Sequence, residues 1–261
     1  MVFIKMAGLE PWLADRIDLA EELFDRNLKS RIGRDGQTDG GILKREFAFD
    51  ASAIGLESRN VKVQAAFVSD ISDKVKSEYY GWMQDYPGGS GDSQCNGGMI
   101  CVASYGGEDY DREYHRETFV HEMLHGFDML ENRYSKSSDF GRKHRDVPRS
   151  ENNGIPYPGM PGPFGELPET DSHYADAFTC RAEINEYIYD LSVFIGKFSK
   201  GRDRGECIDM IKDALKRKEA FLKFYDDVKY RYNASSLLTL YHLAFSKRRR
   251  QEAIDILDSM K

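Results

Sequence analysis

Thr118-Phe119-Val120-His121-Glu122-Met123-Leu124-His125 lies in a stretch whose apolar residues Phe119, Val120, Met123, Leu124, Phe127 and Leu130 recur at helical spacing. That period predicts a helix of about twenty residues beginning near Asp111. Two histidines four apart on a helix sit about 40° apart around the axis and one turn along it, so both imidazoles can reach one metal ion. Glu122 stands between them in sequence, where a carboxylate can hold and deprotonate a water on that metal.

Upstream of this helix, an apolar strand is predicted over Met99–Tyr105, closed by Gly106-Gly107. The Gly-rich run Pro87-Gly88-Gly89-Ser90-Gly91-Asp92 before it has no Lys-Ser/Thr ending, so it is no phosphate-binding loop. Phe47-Ala48-Phe49 and the run from Val61 to Val68 read as strands separated by polar turns. Residues 9–30 carry Leu13, Ile17, Leu19, Ala20, Leu23 and Phe24 at helical spacing, with Pro11 near the start. Downstream, residues 135–172 hold six of the eight prolines and little periodicity. Helices are then expected over 173–199 and 203–229, with two shorter ones through Leu237–Phe245 and Arg250–Met260. The predicted class is α+β: residues 1–134 form a mixed half with a small twisted sheet and the HExxH helix, 135–172 a Pro-rich loop, and 173–261 an all-helical half.

Composition narrows the functions available. The chain has 261 residues, 40% hydrophobic and 31% charged, with a mean hydropathy of −0.61 and no apolar run long enough to span a bilayer. A soluble globular protein without a membrane partner is expected. The net charge of −7 and pI near 5.5 argue against a nucleic-acid partner. The basic clusters Arg142-Lys143-His144-Arg145 and Lys247-Arg248-Arg249-Arg250 are short and read as solvated surface. Cys95, Cys101, Cys180 and Cys207 form no CxxC pair; free thiols are expected, or a small Cys95–Cys101 loop. Met1 to Gly8 lack the apolar core of a signal peptide, which fits a cytoplasmic protein, one exported without a cleaved leader, or a mature chain already stripped of its leader, and leaves the compartment open. Asn233-Ala234-Ser235 matches a glycosylation sequon by pattern only.

HExxH on a helix resembles the zincin metallopeptidases, in which one zinc ion takes three protein ligands and keeps a place for water. The metzincin continuation HExxHxxGxxH is absent, because Asp128 and Glu131 occupy its Gly and final His positions. Ile184-Asn185-Glu186-Tyr187-Ile188-Tyr189-Asp190 is similar to the NExxxD ligand helix of gluzincins such as thermolysin and neprilysin. That resemblance implies Glu186 as third zinc ligand and Asp190 as the carboxylate that hydrogen-bonds His121 and fixes its tautomer. His125-Gly126-Phe127-Asp128 also resembles lethal-factor-like toxin peptidases, which implies Asp128 as a partner of His125 and Glu183 as the alternative ligand.

The zincin likeness further implies a Tyr or His near the ligand helix that donates to the oxyanion; Tyr174 and His173 are the candidates, with Tyr157 behind them. It also implies a strand that lends main-chain hydrogen bonds to an extended substrate, here Ile100, Val102 and Ala103. The expected function is therefore zinc-dependent hydrolysis of a protein or peptide, in the manner of a dedicated toxin or effector. The competing expectation is an inactive zincin-like or helical binding module working through residues 203–260. A deformylase-type amidohydrolase with Cys101 as ligand fits less well, because Met99-Ile100-Cys101-Val102 lacks the Gly-Cys-Leu context of that family.

Overall fold

The computed structural model describes residues 11–38, 41–68, 81–84, 99–105, 111–131, 181–229, 231–232, 234, 236–246 and 248–261. The chain divides into two compact units, one of residues 15–160 and one of residues 161–261 with the first fourteen. Both α and β structure are present, the sheet in the first unit and helices alone among the described residues 181–261.

Strand β1 (Ile42–Asp50), β2 (Asn60–Val68), β3 (Gly81–Gln84) and β4 (Met99–Tyr105) form one sheet in the order β1-β2-β4-β3. β1 pairs antiparallel with β2, β2 parallel with β4, and β3 antiparallel with β4. Alternation along β2 decides which face is buried: Val61, Val63, Ala65 and Phe67 are sealed while Lys62 is exposed. The register carries that row across the sheet, pairing Val63 with Ile100 and Ala65 with Val102 on one side and with Phe47 and Arg45 on the other.

The buried face is covered by helix α1 (Pro11–Asn27) and helix α2 (Arg112–Leu130). Phe119 of α2 is the hub, its ring centre 5.6 Å from Phe24 of α1, 6.3 Å from Phe47 and 6.4 Å from Phe67. Phe127 sits two turns further along and meets Phe49 edge-on at 5.5 Å. A buried polar contact fastens the start of α2 to the end of β4, where Ser104 Oγ and His115 Nδ1 lie 2.8 Å apart. Burial against Phe67 pushes the His115 imidazole below its ordinary pKa, so it is held neutral.

In the second unit, helices α3 (Arg181–Phe198), α4 (Arg204–Ala214), α5 (Lys218–Lys229), α6 (Ser236–Ala244) and α7 (Arg250–Asp258) share one apolar core. The single helix expected over 203–229 is instead two, α4 and α5, broken at Leu215-Lys216-Arg217. The buried stripe explains the break. Ile208, Ile211 and Leu215 keep one helical phase, whereas Phe221, Tyr225 and Val228 are shifted by roughly a quarter turn or more from it. An unbroken helix would leave one of the two stripes in solvent. Cys207 is a buried free thiol in this core. No helix among the described residues is long and apolar enough to cross a membrane.

His242 in α6 is pushed down to about 4 by burial and by the nearby Lys218 ammonium. Above the ordinary value of 6.5 it is neutral folded or unfolded; as pH falls from 6.5 towards 4 only the unfolded chain takes up the proton, and stability is lost. The full shift corresponds to about 3 kcal/mol, and residual solvent access brings this to about 2 kcal/mol. Urea unfolding of the full chain at pH 7 and pH 4.5, with amide exchange read at α6, should show this loss in wild type and a flatter profile in His242→Gln.

Candidate metal centre

Helix α2 has to serve two surroundings at once. Measured around the axis from His121, Met123 and Leu130 lie roughly 200° and 180° away, on the side turned to the sheet, and both are buried. His121 and His125 project from the opposite side and are only partly covered, as is Glu122. Their imidazole centres are 5.0 Å apart with the ring planes at 72°. A nitrogen ligand stands about 2.0–2.1 Å from zinc and the ring centre about 1.1 Å behind it, so two rings at a tetrahedral angle have centres about 5 Å apart. The spacing of the ring centres equals the one that two imidazoles on a shared cation would have.

The approach of α2 to the sheet depends on the residue beside His125. A Cβ built on Gly126 would stand 2.8 Å from Ile100 Cγ2 and 2.9 Å from its Cδ1. Ile100 is fully buried, so its side chain serves as the floor on which this turn of α2 rests. This corrects the expectation that Ile100, Val102 and Ala103 bind substrate through an open strand edge. β4 lies inside the sheet, and its main chain pairs with β2 along its length and with β3 over Cys101–Ser104. Among the described strands β3 stands outermost on that side, and α2 packs on both β4 and β3.

Asp128 is buried one turn beyond His125, and Arg16 of α1 donates from Nη1 to its Oδ1 at 2.9 Å. Nη2 of the same guanidinium donates to Glu131. Arg16 was not singled out by the motif, although the sequence carries a signal for it: it falls on the apolar stripe of α1 between Leu13 and Ile17, where a charge has to find a buried partner. Glu131, at the position where a metzincin places its third histidine, is thus engaged by Arg16 at the end of an unbroken α2.

Glu186 lies on α3 of the second unit with both carboxylate oxygens sealed from solvent, and Asp190 follows one turn later, half-buried. A carboxylate buried to that degree has to be paired, protonated or bound to a cation. The Glu183 side chain, His173, Tyr174, Tyr157, Cys95, Cys180, the Gly-rich run 87–92, the loop 135–172, the cluster 142–145, and Asn233 and Ser235 lie outside what is described. Among the described residues no group of three or more His, Cys, Asp or Glu side chains that could hold a metal ion is gathered. No family model, no curated protein and no solved structure matches the chain.

The Gly126–Ile100 contact gives a direct test. Gly126→Ala should cost roughly 1–3 kcal/mol by overpacking. Ile100→Ala should be less damaging in the Gly126→Ala background than in wild type, because the added methyl occupies space the isoleucine gives up. Urea melts of the four proteins measure this coupling, and additive losses would show that the two residues do not press on one another.

Proposed function

We propose that the protein is a zinc-dependent endopeptidase of zincin type, with His121, His125 and Glu186 as protein ligands and Glu122 as general base. The observation that carries the reading is the HExxH pair on α2, whose imidazoles stand 5.0 Å apart on the side turned away from the sheet. Asp190, one turn after Glu186, supports the gluzincin choice of third ligand over Glu183. The sheet order, with an antiparallel edge strand beside β4 and the HExxH helix next in the chain, supports a zincin-like core.

When bound, zinc supplies a Lewis acid for the scissile carbonyl and lowers the pKa of the attacking water. Glu122 takes the proton of that water and passes it to the leaving amine nitrogen, acting first as base and then as acid. Its place between the two histidines keeps its carboxylate within a turn of both imidazoles. β3, outermost among the described strands, would lend main-chain donors and acceptors to an extended peptide lying beside it. Tyr174 or His173 would donate to the oxyanion.

Elemental analysis of the purified chain should give about one zinc per chain, lost in Glu186→Ala and retained in Glu183→Ala. Glu122→Gln should keep the metal and lose a hundredfold or more in turnover of a peptide-library substrate. Loss of zinc with Glu183→Ala alone would move the site to the lethal-factor-like pattern. A chain free of zinc in every variant would replace the peptidase reading with that of a helical binding module.

A further inference from the structure

The polar groups that α2 presents to α1 are more extensive than packing requires. Around the helix axis, Asp128 lies roughly 20° from His121 and 60° from His125, so it belongs to the same stripe one turn on. Glu117, Leu124 and Asp128 are all buried on the flank of α2 that borders the histidines, and Arg16 of α1 reaches Asp128 there. At the other end of the same contact Arg116 of α2 meets Glu21 of α1 at 2.8 Å. Arg16 stands opposite the last turn of α2, its side chain 6% exposed, and its two NH groups hold Asp128 and Glu131.

A buried ion pair is a poor device for stability alone, since an apolar residue in each place would pack as well and avoid desolvating the charges. What the fork of a guanidinium does supply is direction: two N–H groups in one plane fix two carboxylates at once. Here those carboxylates are the acids that follow His125 along α2. One shares the stripe of the histidines; the other stands ten residues after His121.

We propose that Arg16 is a positioning residue for the metal centre: its fork fixes Asp128 and Glu131 at the edge of the histidine stripe and thereby sets the orientation of His125. The proposal rests on the zinc-site reading above. Arg16 touches neither metal nor substrate. It acts through Asp128, and its grip on Glu131 holds the guanidinium plane in place.

The test uses the full chain loaded with Co2+, whose visible absorption reports ligand geometry. Relative to wild type, Arg16→Met should bind Co2+ roughly ten- to a hundredfold more weakly, the usual penalty for losing an outer partner of a metal ligand, with an altered band per bound cobalt. Arg16→Lys keeps the charge but cannot grip two acids at once, and should fall between wild type and Arg16→Met in both readouts. Circular dichroism identifies the folded variants. Should Arg16→Met fail to fold, Arg16→Lys decides alone. A folded Arg16 variant with wild-type affinity and band would overturn the positioning role and leave the zinc reading intact. A wild-type chain that binds no Co2+ would overturn both.

Discussion

The contact between α2 and β4 at Gly126 is the constraint on which the rest of the first unit depends. With no side chain at that position, the helix backbone comes down on Ile100, and only then do Phe119 and Phe127 reach the rings of Phe24, Phe47, Phe67 and Phe49. The same seating decides what happens on the far side of the helix. A helix lifted from the sheet by a methyl group, or rolled by a few tens of degrees, would carry His121, Glu122 and His125 with it. Packing density on one side of α2 therefore sets angular precision on the other.

Polar burial in the first unit is concentrated around the same helix. His115 is held neutral at its first turn, against Ser104 and Phe67, and the Arg16 fork closes its last turn. Between these two fixtures lies the HExxH segment. In the second unit, Glu186 is a fully buried acid on α3, the helix that also supplies Leu191, Phe194 and Ile195 to the apolar core. Burying an acid in such surroundings is costly unless something compensates its charge.

Much of this was legible in the residues. The period of Phe119, Val120, Met123, Leu124, Phe127 and Leu130 marks α2, and the alternation from Val61 to Phe67 marks β2, because each pattern has one wet and one dry side. The strand order was not legible. Residues 99–103 are apolar throughout, and periodicity cannot tell a strand flanked on both sides from one at an edge; the pairing of β3 with β4 arises from tertiary contacts. The break between α4 and α5 was written in the phase shift between Leu215 and Phe221, but without Gly or Pro to mark it the phase had to be compared across the break. At the candidate site, the histidines and Glu122 follow from a short-range motif. Arg16 was hidden because its partners lie far away in the chain.

That distance has a kinetic meaning. Arg16 and Asp128 are 112 residues apart in sequence, and β2 and β4 must pair in parallel before α2 has a floor to rest on. Closing a loop of that length costs about 4 kcal/mol of chain entropy before any contact repays it. Contacts of such high order slow folding, and during synthesis α1 has to remain unsatisfied on its charged stripe until the end of α2 has emerged. The flank of α2 that carries the HExxH segment is thus tied to a contact of high sequence separation, made only when α1 and the end of α2 are both present.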